Sequence, residues 1–184
     1  MSLQITGIFL IPILAILTIV LLYPLKSISK YYIGLFFTIS SFVLFILSCF
    51  VFFGFQSPEN PEIFSMEFLK VDSFILRFSI YLNSLTSVML FVVCSVSFLV
   101  HMFSLGYMKD FEYPRYYIFL HLFTWSMLGL VLAGNLIQMF VFWELVGLCS
   151  YLLIGFWYDK KSATDAAKKA FIITRIGDFG FMIG

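Results

Sequence analysis

Long uncharged runs alternate with short polar links along this chain. Crossing a hydrocarbon layer of ~30 Å at 1.5 Å per residue takes a helix of about 18 or more apolar residues. Five runs reach that length: Ile5–Tyr23, Tyr31–Phe55, Leu85–Tyr107, Tyr116–Ala133 and Leu136–Tyr158, the last interrupted by Glu144. A sixth, Ala166–Gly184, is apolar except for Lys168, Lys169, Arg175 and Asp178. The links predict loops. Pro24–Lys30 is short and basic, Asp110–Arg115 contains Pro114, and Ala133–Asn135 is a tight turn around Gly134. Asp159–Asp165 is charged, and Ser162, Thr164 and Asp165 offer N-cap oxygens for the sixth helix.

Residues 56–81 break this rhythm. Ser57-Pro58-Glu59-Asn60-Pro61 is a cluster of breakers. Phe64, Met66 and Phe68 then alternate with Ser65 and Glu67, and beyond Lys70–Ser73 a second alternation runs through Phe74, Leu76, Phe78 and Ile80. Period two on both sides of a polar turn predicts a β-hairpin outside the membrane. The fold class expected is therefore an all-α membrane protein. It has about six transmembrane helices in a single domain over residues 1–184, with one extramembrane hairpin between the second and third.

Composition sharpens this picture. Of 184 residues, 62% are hydrophobic, 21% aromatic and 11% charged, and the mean hydropathy is +1.04. Soluble domains carry about 25% charge, so this chain lacks the polar residues to cover a water-facing surface. Eleven Lys and Arg against ten Asp and Glu leave a net charge of +1. That is no basic face for nucleic acid. Cys49, Cys94 and Cys149 sit singly in apolar runs, with no spacing that suits zinc or an iron–sulfur cluster. The N-terminal stretch has neither an Arg-rich transit pattern nor a cleavage site after its first run, so the chain is expected to begin with its first membrane helix.

Lys and Arg are unevenly shared between the two sides that these helices define. Lys70 and Arg77 fall on the side of the hairpin and the Ala133–Asn135 turn. Lys26, Lys30, Lys109, Arg115, Lys160, Lys161, Lys168 and Lys169 fall on the other. The basic side is expected to face the cytoplasm or matrix.

Glu144, Arg175 and Asp178 remain within the apolar runs. An ionisable group at the bilayer centre costs about 2.5–3.5 kcal/mol on the insertion scale, so each needs a partner or a task. Glu144 lies ~12 Å into the fifth run from the outer surface. Asp178 lies ~18 Å into the antiparallel sixth run from the inner one, and Arg175 ~13.5 Å. All three are thus expected near one depth, with Arg175 and Asp178 on one helix face at i,i+3. A structural pair, Arg175–Asp178, accounts for those two. It leaves Glu144 a carboxyl poised between burial and a nearby cation, as a proton relay requires. Any lysine that works with it must come from outside these residues. His101 lies in the inner half of the third run and is weighed evenly between core and relay. His121 is weighted toward a headgroup-level position. Lys169 reads either as a snorkelling residue or as a gate for protons from the inner side. Trp125, Trp143 and Trp157 read as packing or interface residues. Gly147, Ser150 and Gly155 allow close helix contact.

Three stretches carry a family likeness: Val100–Met108, with His101, Ser104 and Gly106-Tyr107-Met108; Phe142–Trp157, with Trp143-Glu144-Leu145-Val146-Gly147; and Lys169–Gly180, with Thr174-Arg175-Ile176-Gly177-Asp178. They resemble subunit 5 of NADH:ubiquinone oxidoreductase, respiratory complex I, the distal antiporter-like membrane subunit. The first half of the chain resembles it in layout only.

The resemblance implies that Glu144 pairs with a lysine on a seventh helix within a proton half-channel, and that Arg175, Asp178 and His101 line or support it. It implies a subunit of an H⁺-translocating NADH:ubiquinone reductase with no cofactor in this chain; NADH, FMN, iron–sulfur clusters and ubiquinone are bound elsewhere. It also implies membrane-arm partner subunits, a second chain supplying the remaining helices, membrane lipids, and a place in the mitochondrial inner membrane in preference to a bacterial or thylakoid one. The family has many more helices than this chain, which stops at Gly184. The expectation is one product of a split gene, or a truncated form that no longer pumps. Two alternatives stay open: a cation/proton antiporter subunit of the related multisubunit family, and a non-pumping structural remnant.

Overall fold

The structure is a computed structural model that describes residues 13, 15, 17, 30–54, 62–71, 74–108 and 113–183. The first apolar run lies outside the described residues except for Ile13, Ala15 and Leu17, which are helical. The remaining runs form helices α1 (Lys30–Phe53), α2 (Ser84–Tyr107), α3 (Tyr113–Val131), α4 (Leu136–Ile154) and α5 (Lys161–Ile183). Strands β1 (Glu62–Val71) and β2 (Phe74–Tyr81) form an antiparallel hairpin between α1 and α2. Among the described residues, three helices are long and apolar enough to cross a membrane: Tyr32–Phe53, Ser84–Tyr107 and Leu136–Ile154, with mean hydropathies of 2.5, 2.3 and 1.8. Pro114, Arg115 and His121 dilute α3, and six ionisable residues dilute α5.

The helices turn their polarity inside out. On α1, Phe37, Ser41, Leu44, Ser48 and Val51 recur at helical spacing on the buried side, while Tyr32, Phe36, Ile39, Phe42, Val43, Ile46 and Phe50 are exposed. On α2, Ser87, Leu90, Cys94, His101 and Ser104 are buried, while Leu85, Val88, Val92, Val96, Leu99 and Phe103 are exposed. Hydroxyls and an imidazole inside, with large apolar side chains outside, is the arrangement lipid favours. Several buried hydroxyls bond to the backbone of their own helix, as in Ser41 to Thr38 O (2.8 Å) and Ser104 to Val100 O (2.7 Å), whereas Ser87 Oγ has no hydrogen-bond partner among the described residues.

Asparagine caps set the starts of α2 and α4. Asn83 Oδ1 accepts from the Thr86 amide and Asn135 Oδ1 from the Gln138 amide, each at 2.8 Å. Other ends depart from the sequence reading. Helix α3 starts before Pro114, which occupies the first turn, where a missing amide hydrogen costs nothing. Helix α4 stops at Ile154, because Gly155 closes it by donating to Tyr151 O at 2.9 Å. Helix α5 begins at Lys161, so Ser162, Thr164 and Asp165 are not N-caps. Lys160 O already accepts from the amides of Ala163 and Thr164, and the Thr164 hydroxyl bonds back to Lys161 O.

The hairpin pairs Phe64 with Ile80, Met66 with Phe78 and Glu67 with Arg77, with irregularities at Glu62/Phe64 and Glu67/Leu69. It is clasped to the turn between α3 and α4. Tyr81 N donates to Leu132 O (3.1 Å), Gly134 N to Ser79 O (3.1 Å), and Asn135 Nδ2 to Arg77 O (2.6 Å). Ser79 N donates to Gln138 Oε1 at 3.0 Å. Gly134 lies so close to Ser79 that a Cβ there would collide with its hydroxyl. The hairpin and the Ala133–Asn135 turn therefore share one end of the bundle. One core cluster, with Leu44, Ile80, Leu90, Leu128 and Leu132, lies at that end. A second, with Ile33, Phe37, Met108, Tyr117 and Phe156, packs separately. Arg115 stacks over Phe119, Phe156 and Tyr158, and Lys160 over Trp157, tying the partner ends of α3 and α4 with cation–π contacts.

Candidate functional site

Helix α4 lies along α5 through ring contacts: Phe140 and Trp143 stack on Phe181, and Tyr151 meets Phe171. Between these contacts the two helices bring three ionisable side chains together. Arg175 Nη1 pairs with Glu144 across the helix interface and reaches Asp178 Oδ2 on its own helix at 3.9 Å. The guanidinium also lies over Phe171, 4.6 Å from the ring centre. Exposure is 23% for the Glu144 side chain, 31% for Arg175 and 12% for Asp178.

The expected Arg175–Asp178 pair is present, and the same guanidinium also reaches across to Glu144. Asp178 has a second partner, since the Trp143 indole N–H donates to Asp178 Oδ1 at 2.8 Å. Two carboxylates thus share one guanidinium and one neutral donor, and the cluster carries a net negative charge when both are ionised. It borders an open cavity of about 160 Å³, lined by Phe140, Glu144, Arg175, Asp178, Phe179 and Met182. A carboxylate held by one cation beside an apolar cavity can take up a proton whenever that cation moves off.

The other sequence-selected residues lie elsewhere. Lys169 is exposed on α5, six residues before Arg175, and is not drawn into the cluster. His101 is fully buried on α2 and belongs to a separate polar group between α1, α2 and α3. Its partner is His121 on α3, also fully buried, with Nδ1 at 3.2 Å from His101 Nε2. His121 is thus packed inside the bundle: α3 brings the two imidazoles edge to face, centroids 5.2 Å apart. His101 Nδ1 lies 2.7 Å from the Ser97 carbonyl, and His121 Nε2 lies 3.4 Å from the Ser40 hydroxyl of α1. Trp143 and His121 are the residues that sequence reasoning underrated. The available signal was the same for both: a polar tip in an apolar run needs a partner.

Apolar-faced helices, a buried polar seam and a charged cluster between two antiparallel helices define a multi-pass membrane subunit of the antiporter-like class. Comparison with known proteins agrees. The family described as complex I chain 5 N-terminus matches residues 68–117, and that described as NADH:quinone oxidoreductase/Mrp antiporter matches residues 133–184. The chain belongs to the subunit 5 family of complex I and its NAD(P)H-quinone oxidoreductase relatives, and corresponds to the N-terminal portion of that subunit.

It is 46% identical over 140 residues to chloroplastic NAD(P)H-quinone oxidoreductase subunit 5 of Mesostigma viride, covering 76% of this chain and 22% of that one. It is 51% identical over 120 residues to chain 5 of the Synechocystis enzyme, covering 65% and 18%. The Chara vulgaris chloroplastic subunit 5 is 44% identical over 162 residues, covering 88% and 24%. The chain thus spans about a fifth to a quarter of these relatives. By fold it matches a chain of the archaeal membrane-bound sulfane sulfur reductase, with a TM-score of 0.72 at 20% identity over 99% of this chain and 34% of that one.

Proposed function

We propose that this chain contributes to proton translocation in the membrane arm of an NAD(P)H-quinone oxidoreductase, with Glu144 as the proton-exchanging carboxylate. The observation that carries this reading is the Glu144–Arg175–Asp178 cluster between α4 and α5. Arg175 faces the Glu144 carboxyl as its counter-charge. Withdrawal of the guanidinium, or approach of a second cation from a neighbouring helix, shifts the balance and moves a proton. Asp178, bonded to the Trp143 indole, is the second acid within reach of the Arg175 guanidinium. Lys169, exposed nearer the start of α5, serves as the entry residue from the basic side, and His101 supports the path from α2.

In this reading the chain crosses the membrane six times, the apolar run over residues 5–23 included, with the hairpin outside. NADH or NADPH, FMN, iron–sulfur clusters and quinone are held by other subunits, and energy reaches this one through conformational and electrostatic coupling. Membrane-arm subunits are its neighbours, with further helices supplying a lysine. The membrane is an energy-coupling one. The mitochondrial inner membrane expected from the sequence draws no specific support from the relatives, which are chloroplastic and cyanobacterial.

Glu144→Gln in the assembled complex tests this. The expected result is a several-fold drop in protons moved per electron transferred. An unchanged ratio would refute the role of Glu144. The second reading, a cation/proton antiporter subunit, is favoured by the antiporter family that residues 133–184 also match. It predicts sodium-dependent proton transport without NAD(P)H oxidation.

A further inference from the structure

The hydrogen bonds around His101 and His121 run in one direction. The Ser97 carbonyl can only accept, so His101 Nδ1, at 2.7 Å, carries the proton. In a neutral imidazole the other nitrogen is then bare, so His101 Nε2 accepts from His121 Nδ1–H at 3.2 Å. His121 Nε2 is bare in turn and accepts from the Ser40 hydroxyl at 3.4 Å. At the far end the Thr124 hydroxyl donates to Leu120 O (3.0 Å), so Ser97 Oγ–H points to Thr124 Oγ1 (2.8 Å). Ser97 Oγ is also 3.4 Å from His101 Nδ1. Ser40 and Ser97 are both partly exposed, while the two rings between them are fully buried. Packed against the rings are Phe37 of α1, 5.1 Å from His121, and Tyr117 of α3, 6.0 Å from His101, the one further titratable side chain in ring contact among the described residues.

We propose that His121 and His101 form a single-proton relay joining Ser40 on α1 to Ser97 on α2, with His121 as the receiving residue. The Ser40 hydroxyl proton passes to His121 Nε2, and Ser40 Oγ takes up a proton from a donor at its partly exposed side. The His121 Nδ1 proton passes to His101 Nε2. The His101 Nδ1 proton swings from the Ser97 carbonyl to Ser97 Oγ, 3.4 Å away, while the Ser97 hydroxyl proton turns from Thr124 Oγ1 and is handed to an acceptor at the partly exposed side of Ser97. One proton enters and one leaves, and only N–H and O–H bonds change. Both rings end neutral with their protons on the opposite nitrogens, and return passage or ring rotation resets them. The pair holds one extra proton and not two, because two imidazoliums would press like charges together across 3.2 Å.

This rests on the proton-translocating reading above, and its test separates the two. His121→Asn keeps an N–H donor near the position of Nδ1 but takes up no proton. In the assembled complex labelled with ring-¹⁵N histidine, infrared difference spectra between rest and turnover are compared for the native protein, His121→Asn and Glu144→Gln, together with proton uptake. The relay predicts an isotope-sensitive imidazole band that His121→Asn abolishes, together with a fall of about fivefold in proton uptake per electron. A retained band, or unchanged uptake with the band lost, overturns it. Normal pumping in Glu144→Gln with the band still dependent on His121 would sink the Glu144 reading and leave the relay standing. Should His121→Asn fail to assemble, Ser40→Ala removes only the entrance hydroxyl. The relay then predicts slower uptake, and an unchanged rate overturns it.

Discussion

At the level of single residues, Arg175 is the hinge of the charged cluster, because two acids rely on one guanidinium. Removing it should harm the protein more than removing either acid. A fully buried ion pair broken on one side costs ~3–5 kcal/mol, and partial exposure lowers that here to about 1–3 kcal/mol. Arg175→Met is therefore expected to lower the melting temperature of the purified complex and the amount of assembled subunit. Adding Glu144→Gln should restore most of that loss, since no orphan carboxylate is left on α4. If the double variant is no better than the single, the two side chains are not coupled. Trp143→Phe removes only the indole donor to Asp178 and is expected to cost under about 1 kcal/mol in the same melt. The common depth of Glu144, Arg175 and Asp178 was legible in the sequence, because rise per residue converts position into depth. Which acid Arg175 prefers was not, nor was the meeting of His121 with His101. Those depend on how each helix is rotated about its axis, and a helix that faces lipid on one side and hydroxyls on another writes rotation only faintly.

Elements were legible wherever length and period spoke alone. The apolar runs from Tyr31 onward became helices, and alternation announced both strands. Ends were less legible. Gly155 stops α4 while the apolar run goes on, and α5 starts in a charged stretch that resembles a loop. Strand β1 reaches Val71 because irregularities in its pairing reset the alternation that the sequence shows only from Phe64 to Phe68. Asn135 joins two elements, capping α4 with its oxygen and holding Arg77 O with its nitrogen. Asn135→Ala is expected to cost about 1–2 kcal/mol and to speed hydrogen exchange at Tyr81 and Gly134. Exchange as slow as in the native protein would show that the cap does not hold the hairpin.

At the scale of the whole molecule, the uneven share of Lys and Arg predicts sidedness. Glu67→Cys on the hairpin and Asp159→Cys between α4 and α5 should react with a membrane-impermeant maleimide from opposite faces, with Asp159→Cys on the cytoplasmic, stromal or matrix face. Labelling of both from one face would overturn this topology. The inverted polarity of α1 and α2 was only half legible. Composition announced a membrane chain, but only the packed helices reveal which hydroxyls line the seam. The clasp has a consequence of its own. Strand β2 grips Gln138 at the head of α4, six residues and ~9 Å of rise above Glu144. A nanobody raised to prise that strand away would pull on the same rod that carries the acid, so a handle outside the bilayer would serve as a brake on chemistry within it.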